Sequence, residues 1–261
     1  MRVLTDTDVA RDLTAEIAVA AARRALVDAY AGRLSAPPRA RVELGGHDFV
    51  FTAGGYADGP VGFRAYGLWP GESDQAVLVW DGHGALTGVV AGGELGARRT
   101  GALGGVAADV LAAIHSPTAD HRERFAQRAR TDLGLEAEAV VSARAAARGA
   151  DIVVLATRSE TPVVEAGWIE AGAHVSTVGP KAASAHEAPP ELADAATIVA
   201  TDSPDQARAS DEAFFTGRPL EHLGRLVAEP PRRPADAVTL YCSTGLAGSE
   251  VVLADALLRR D

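Results

Sequence analysis

The sequence has very little cysteine, lysine and methionine, with one of each among its 261 residues. Because a disulfide or a cysteine-pair zinc site needs at least two cysteines, Cys242 can form neither within the chain. No stretch approaches the roughly 18 consecutive apolar residues of a membrane-spanning helix. The N-terminal MRVLTDTDVARDL has no apolar run of the kind found in a signal peptide. These absences predict a cytoplasmic protein with no membrane partner.

Positive charge is also scarce. The chain has 35 acidic and 25 basic residues, for a net charge of −10. An overall negative field repels phosphate backbones, so nucleic acid is not expected as a partner. Because Lys181 is the only lysine, any Schiff base, ammonium acid or lysine base involves Lys181 or is absent. The alternative is that Lys181 is a solvated loop residue.

The hydrophobic pattern changes twice along the chain. Residues 3–34 have the apolar spacing of two helices, whereas the following segment has short β-branched and aromatic runs separated by Gly, Pro or Asp turns, typical of antiparallel strands. A helix of about twenty residues is predicted from Glu94. From about residue 112 to 205, strands such as ADIVVLAT and AHVSTVG alternate with helices, which indicates parallel βαβ units. The tail 206–261 is predicted to be largely helical. The expected class is α/β.

Common phosphate and metal motifs are missing. A dinucleotide's pyrophosphate needs a glycine-rich turn between a strand and a helix, yet the 27 glycines include one G-x-G, Gly82-His83-Gly84. A turn between two antiparallel strands is the simpler interpretation of that tripeptide. There is no P-loop, no H-E-x-x-H and no G-x-S-x-G, and the seven histidines are scattered. No metal site is predicted.

Three arginines lie in apolar settings around the predicted β region: Arg39 after two prolines, Arg64 within VGFRAYGLW, and Arg99 at the start of a helix rich in small residues. A buried guanidinium must be paired, and its planar fork matches a carboxylate. Each arginine alone is explained by an internal salt bridge. Together they favour a binding site for an anionic small molecule.

In its motifs the sequence resembles the ornithine cyclodeaminase/mu-crystallin family. The matching segments include VLVWDGHGALTGVVAGGELGARRTGALGGVAADVLA, ADIVVLAT, VVEAGWIEAGAHVSTVG and VTLYCSTGLAGSEVVLADALL, in the family's order. The resemblance implies an antiparallel-sheet domain that binds substrate and forms a homodimer, at residues 1–106 with 206–261 packing back on it. It implies a Rossmann-like parallel domain at residues 107–205.

The resemblance also implies roles for particular residues. Arg39 and Arg99, with Thr100 in the R-T motif, match positions that bind the substrate carboxylate. Arg64 falls where many members have a lysine, and an arginine cannot exchange a proton there. The aspartate that orients water in cyclodeaminases would follow Gly179, where this chain has Pro180 and Lys181. Lys181 is therefore a candidate catalytic residue in place of the displaced lysine, and Arg64 a candidate for stabilising negative charge. Glu94 and Cys242 are weaker candidates.

One strand–helix unit, with the family's G-x-G-x-x-A turn, is not visible between VAADVLA and AAIHSPT. This gap predicts a truncated Rossmann-like domain into which AAIHS could slide, and no cofactor. If NAD(P) does bind, Ser116 and Thr118 are expected near its ribose.

Three functions follow as hypotheses. The first is redox-neutral chemistry without NAD on a small amino- or imino-acid-like carboxylate: cyclisation, elimination, hydrolysis or tautomerisation. The second is an NAD(P)-dependent imine reductase, amino-acid dehydrogenase or cyclodeaminase. The third is a non-catalytic small-molecule-binding protein, for which the family has a precedent.

Overall fold

The chain begins with a strand and two helices. The computed structural model describes residues 1–69, 74–108, 118–133, 136–209, 213–215 and 217–260. Both helices start after a threonine: Thr5 forms a capping box with Asp8, and the Thr14 hydroxyl accepts a hydrogen bond from the amide of Ile17. The leading strand was not predicted from the sequence. The elements are β1 (Arg2–Leu4), α1 (Asp6–Asp12) and α2 (Ala15–Tyr30).

The next part of the chain forms an antiparallel sheet, as its short β-branched runs predict. The strand order in the described residues is β1-β7-β6-β5-β4-β2, with β3 also on β4 and β1 parallel to β7. The Asp81 carboxylate accepts the amides of His83 and Ala85, so Gly82-His83-Gly84 is a hairpin turn. The strands are β2 (Leu34–Ser35), β3 (Ala40–Leu44), β4 (His47–Tyr56), β5 (Val61–Leu68), β6 (Gln75–Trp80) and β7 (Leu86–Ala91).

The two faces of this sheet differ because side chains alternate along each strand. The inner face carries fully buried valines, among them Val77, Val79 and Val90. The outer face carries a row of aromatic rings, with Phe51 6.5 Å from Phe63 and Phe63 stacked 5.9 Å from Trp80. The outer face is only partly buried within the single chain.

Helices and parallel strands alternate in the rest of the chain. The helix predicted from Glu94 is described for 15 residues, and the segment VVEAGWIEAG forms only a short 3-10 turn at Ala166–Trp168. None of the described helices is both long and apolar enough to span a membrane. The elements are α3 (Glu94–Ala108), α4 (Ala119–Leu133), α5 (Ala143–Ala147), β8 (Ile152–Leu155), β9 (His174–Thr177), β10 (Lys181–Ala182), β11 (Ala185–His186), α6 (Pro190–Ala195), β12 (Ile198–Thr201), α7 (Pro204–Ala209), β13 (Glu221–His222), α8 (Leu223–Ala228), β14 (Thr239–Cys242) and α9 (Ser249–Leu258).

The second sheet is parallel throughout, in the order β13-β12-β14-β9-β8 within the described residues. The tail is therefore not entirely helical and does not pack back on the first domain alone. Its strand β14 lies between β12 and β9, whereas its helix α9 contacts β5 and β6 of the antiparallel sheet. The segment AAIHS, expected to fill a vacant strand position, lies outside the described residues.

Two hydrophobic cores flank the parallel sheet. The first contains Leu26, Leu103 and Leu253 from α2, α3 and α9 together with Tyr241 from β14. The second contains Leu240 and other residues on the opposite face. Strands covered on both faces are nearly continuous apolar runs, which is why β9 was predicted from the segment AHVSTVG. The segments that follow β12 and β14 contact Arg39, which lies next to β3 of the antiparallel sheet.

Candidate functional site

Two arginines from different elements meet beside a glycine. Arg39 immediately precedes β3, and Arg99 lies on α3. A Cβ atom on Gly245 would be 3.2 Å from Arg39 Nη2 and 3.5 Å from Arg99 Nη1. Gly245 has a φ of +87°, which favours glycine, and the missing side chain leaves this space to the two guanidinium groups. The structure thus brings together the two arginines that the sequence analysis assigned to one carboxylate.

Arg39 is held in place by hydrogen bonds, but none of the described carboxylates neutralises its guanidinium group. Its Nη2 donates to the Thr244 carbonyl oxygen, and its backbone amide donates to Gln206 Oε1 at 2.7 Å. Its Nε is buried without a hydrogen-bond partner. Among the described residues, no carboxylate lies within ion-pair distance of Arg39. A buried, unsatisfied donor is costly unless a ligand pairs with it, so this guanidinium is suited to an anion.

Arg99 shares an internal carboxylate with Arg64. Glu250 on α9 is 2% exposed, and its Oε1 lies 2.6 Å from Arg99 Nη2 and 3.0 Å from Arg64 Nη1. Burial by itself raises the pKa of Glu250, but the two guanidinium groups outweigh burial and hold that pKa below its ordinary value. The Arg99 Nε remains buried and without a partner. Arg99 therefore keeps a free donor for a second anion.

Arg64 is not one of the residues lining the cavity beside Arg39 and Arg99. Its Nε donates to Gln75 Oε1 at 2.9 Å, and its guanidinium lies over the Tyr66 ring, 4.4 Å from the centroid. The structure places Arg64 in a supporting ion pair with Glu250, behind Arg99. The internal salt bridge that was the alternative explanation is found for Arg64 and, through the same Glu250, for Arg99.

Lys181 lines the same cavity as Arg39 and Arg99. It follows the loop after β9, and its Nζ donates to the Gly179 carbonyl oxygen. Burial lowers the pKa of Lys181, Arg39 lowers it further, and the nearby carboxylates of Glu187 and Asp202 oppose the change. Within the described part of the chain, no carboxylate is in ion-pair contact with its ammonium group. The chain's only lysine is thus a partly desolvated group facing a cationic cavity.

Two buried carboxylates, which the sequence analysis missed, hold the loops around this cavity. Asp202 directly follows β12 and accepts the amides of Thr244 at 2.8 Å and Gly245 at 3.0 Å. Glu187 accepts the amides of Thr157 at 2.7 Å and Gly179 at 2.5 Å. Both residues have no solvent exposure. A polar residue at the end of a predicted parallel strand was a usable signal for Asp202, whereas nothing in the local pattern identified Glu187.

The cavity has a volume of about 360 Å³ and lies at the carboxyl edge of the parallel sheet. Open α/β sheets bind ligands at this edge. None of the described residues lining the cavity is acidic, and four of them carry a positive charge. The residues lining it are Arg39, Arg41, Arg99, Thr100, Val178, Gly179, Lys181, Ala182, Gln206, Ala207, Ala213, Phe215, Ser243, Thr244 and Gly245.

The other predicted residues have varied positions. Thr100 lines the cavity while its hydroxyl donates to the Gly96 carbonyl oxygen. Thr118 is exposed at the start of α4, where its carbonyl oxygen accepts the amide of His121. Ser116 lies outside the described residues. Glu94 pairs with Arg98 on the helix surface. Cys242 is fully buried, and burial raises its thiol pKa. No cluster of metal ligands occurs among the residues that the structure describes.

Comparison with known proteins gives a consistent family match. The model of the ornithine cyclodeaminase/mu-crystallin family matches residues 113–259, more than half of the chain. A protein of Rhizobium meliloti, provisionally named a dehydrogenase, is 36% identical over 138 residues, 49% of this chain and 42% of its own length. The chain spans less than half of the length of the curated relatives it matches.

Two solved structures share the fold over almost the whole chain. An archaeal alanine dehydrogenase dimer with bound NAD has a TM-score of 0.85 at 20% identity, covering 98% of this chain and 94% of its own. The Δ1-pyrroline-2-carboxylate reductase of Thermococcus litoralis, in complex with NADH and L-proline, has a TM-score of 0.82 at 22% identity, covering 99% and 96%. These matches show a mixed α/β fold with an antiparallel and a parallel sheet.

The same structures correct the expectation that no cofactor binds. That prediction rested on the absent G-x-G-x-x-A turn, yet proteins of this fold hold NAD or NADH. The loss of a strand–helix unit is not confirmed either, because these relatives are covered over 94% and 96% of their own length. A site is defined by where its groups lie in space and not by one short motif, so the absent turn does not by itself exclude a cofactor.

Proposed function

Because this chain belongs to the ornithine cyclodeaminase/mu-crystallin family, we propose that it is an NAD(P)-dependent oxidoreductase acting on a small imino or amino acid. Its reaction is reduction of a C=N bond next to a carboxylate, or the reverse oxidation. The observation that carries this proposal is the convergence of Arg39, Arg99 and Lys181 on one cavity at the carboxyl edge of the parallel sheet. Two guanidinium groups suit the carboxylate, and a lysine suits proton exchange at the adjacent nitrogen.

The described residues could hold the nicotinamide end of NAD(P), but they provide no recognisable site for its pyrophosphate. Gly179, Ser243 and Thr244 give the cavity a polar wall at the ends of β9 and β14, where α/β sheets place ligands. A pyrophosphate needs a glycine-rich turn into a helix. The described residues supply no such turn, so we assign no phosphate contact. NAD(P)H, when bound, would supply the hydride.

The chain's own residues account for binding and proton transfer. Arg39 and Arg99 hold the substrate carboxylate through their guanidinium groups at the cavity wall. This orientation places the imine carbon and nitrogen toward the carboxyl edge of the sheet. Lys181 in its ammonium form donates a proton to the nitrogen as the carbon is reduced, and in its neutral form it accepts that proton in the oxidation. Burial, which lowers the pKa of Lys181, makes both forms more accessible near neutral pH.

We also propose that the chain forms a homodimer through the outer face of the antiparallel sheet. Phe49, Phe51, Phe63 and Trp80 form a continuous aromatic row there, flanked by Val42, which is 44% exposed. An exposed apolar face of this kind indicates a protein–protein interface. The archaeal alanine dehydrogenase of the same fold is a dimer.

Thermal unfolding with NADH and with NADPH tests cofactor use. A ligand at 100 times its Kd stabilises the folded state by about 2.7 kcal/mol, which gives a clear rise in Tm. Cyclic imines with a carboxylate, and 2-oxo acids with ammonia, are then supplied with the stabilising nucleotide while its oxidation is followed. Absence of any nucleotide-dependent stabilisation and of turnover would refute the proposal. Stabilisation by a carboxylate that is recovered unchanged would favour a binding protein instead.

A further inference from the structure

Glu187 connects three segments at the carboxyl ends of β8 and β9. Its Oε2 accepts the Thr157 amide at 2.7 Å and the Thr157 hydroxyl at 2.8 Å, and its Oε1 accepts the Thr177 hydroxyl at 2.8 Å and the Gly179 amide at 2.5 Å. An ionised carboxylate accepts hydrogen bonds only, and all four contacts are donations to it. The carboxylate therefore fixes the backbone at Gly179, whose carbonyl oxygen accepts from Lys181.

The packing around Gly179 leaves no room for a side chain at this position. A Cβ atom at this position would lie 2.3 Å from the Thr157 carbonyl oxygen and 2.4 Å from Glu187 Oε2. The Glu187 amide also donates to the Pro180 carbonyl oxygen at 3.1 Å. Glu187 thus bonds to the Gly179 amide and to the Pro180 carbonyl oxygen, the two residues before Lys181. These contacts fix the backbone position from which the Lys181 side chain extends.

Asp202 does the same for the loop after β14. Its Oδ1 accepts the Thr244 amide and hydroxyl, both at 2.8 Å, and both of its oxygens accept the Gly245 amide. Thr244 provides the carbonyl oxygen that accepts from Arg39. Gly245 is the residue beside which Arg39 and Arg99 meet. Asp202 is therefore linked to the arginine pair through one short loop.

We propose that Glu187 and Asp202 are separate positioning residues, Glu187 for Lys181 and Asp202 for the Arg39–Arg99 pair. Neither carboxylate lines the cavity, so each acts through its loop. This inference rests on the proposed function where it assigns proton exchange to Lys181 and carboxylate binding to the arginines. The two carboxylates differ in what they hold, so their loss has different kinetic consequences.

Isosteric variants separate the two roles. Glu187→Gln places an amide nitrogen against backbone or hydroxyl donors and removes a negative charge near Lys181. We expect kcat to fall by about tenfold to a hundredfold, as misplacement of a reacting group does, with KM changed less than about threefold. Asp202→Asn disturbs the Thr244–Gly245 loop beside which Arg39 and Arg99 meet. We therefore expect KM to rise about tenfold or more, with the smaller effect on kcat.

A matched control and milder variants keep the test independent of misfolding. Asp28→Asn removes another buried carboxylate, one bonded to Arg33 and Tyr56 and absent from the cavity lining, and both kinetic constants should be retained. Thr177→Val and Thr244→Val each remove one hydroxyl donor from Glu187 and Asp202 respectively, and should reproduce the same split at about twofold to fivefold. Equal changes in kcat and KM for both carboxylate variants would overturn the proposal.

The single lysine allows a readout that needs no turnover. Biosynthetic labelling with ¹³Cε-lysine gives one signal, whose titration follows protonation of Lys181. Because negative charge at Glu187 raises the pKa of Lys181, Glu187→Gln should lower the titration midpoint and change the signal's shift, whereas Asp28→Asn should do neither. If no substrate is turned over, the proposed function fails, yet this titration still decides whether Glu187 positions Lys181. An unchanged midpoint and shift would refute that role.

Discussion

Replacing Gly245 by alanine tests whether Arg39 and Arg99 form one carboxylate site. The new methyl group would lie 3.2 Å from Arg39 Nη2, which is tighter than normal packing, and 3.5 Å from Arg99 Nη1, which is an ordinary contact. The Arg39 guanidinium must therefore move by a few tenths of an ångström, away from the position in which both arginines face one carboxylate. Loss of one charged hydrogen bond costs about 1.5–3 kcal/mol, and each 1.4 kcal/mol is a factor of ten in affinity. We expect binding of a carboxylate to weaken about tenfold to a hundredfold.

Backbone strain at the same position needs its own control. The φ of Gly245 is +87°, and a left-handed conformation costs a non-glycine residue about 1–2 kcal/mol. Gly149 has a φ of +72°, and its Cβ would meet nothing within 4 Å. Gly149→Ala therefore carries the strain without the crowding. Both variants should lose similar free energy of unfolding, equivalent to about 2–4 °C in Tm per kcal/mol.

The assay is calorimetric titration with pyrrole-2-carboxylate, an unreactive planar carboxylate, together with urea unfolding. Wild type and Gly149→Ala should bind with the same Kd, and Gly245→Ala should bind much more weakly. If Gly245→Ala binds within twofold of Gly149→Ala, the two arginines do not share a carboxylate and the assignment of the site is wrong. The unfolding curves ensure that weak binding is not loss of the folded protein.

Further predictions concern the same chain. Arg39→Gln should raise KM about tenfold or more with little change in kcat, while Arg24→Gln, outside the cavity lining, should change neither; steady-state kinetics decides. Lys181→Arg, which keeps the charge but cannot exchange a proton, should abolish turnover while pyrrole-2-carboxylate still binds; retained kcat would exclude Lys181 as the acid. Burial lowers the pKa of His174 from 6.5 to about 4, so the folded state binds fewer protons than the unfolded state between these values. Stability should therefore fall as pH drops below 6.5, by about 2 kcal/mol at pH 5, and His174→Gln should remove this part of the dependence in urea titrations. Phe63→Glu should yield monomers in sedimentation, whereas Val141→Glu, at a side chain that is 82% exposed and outside the antiparallel sheet, should not; an unchanged mass for Phe63→Glu would exclude the aromatic face as the interface.

The site was predicted in part because some of its residues have distinctive local surroundings. Arg39 follows two prolines and Arg99 opens a helix of small residues, and the structure places both beside Gly245. Lys181 was singled out because it is unique, and it lines the same cavity. Arg64 had the same apolar setting as the other two, but its side chain turns to Glu250, a contact 186 residues away. Local pattern cannot show that Glu250 pairs with both Arg64 and Arg99, because the three residues lie far apart in the sequence.

Absence of a motif was the least reliable guide. The missing G-x-G-x-x-A turn led to the prediction of no cofactor, which relatives of the same fold contradict. The tail was expected to be helical and to pack on the first domain, yet Thr239–Cys242 forms a strand between β12 and β9. Four apolar or small residues have no period that separates a strand from a buried helix turn.

The sequence by itself determined the α/β class and the separate antiparallel and parallel regions, because these depend on apolar periodicity and on turn residues within a few positions. It also limited any lysine-dependent chemistry to one residue, Lys181. Only the tertiary structure decided which polar groups act together: Glu250 pairs with both Arg64 and Arg99, Asp202 holds the Thr244–Gly245 loop, and Glu187 holds the loop before Lys181. A buried charge is stabilised by whichever partner lies within hydrogen-bond distance, and for these groups that partner comes from a different element of the fold.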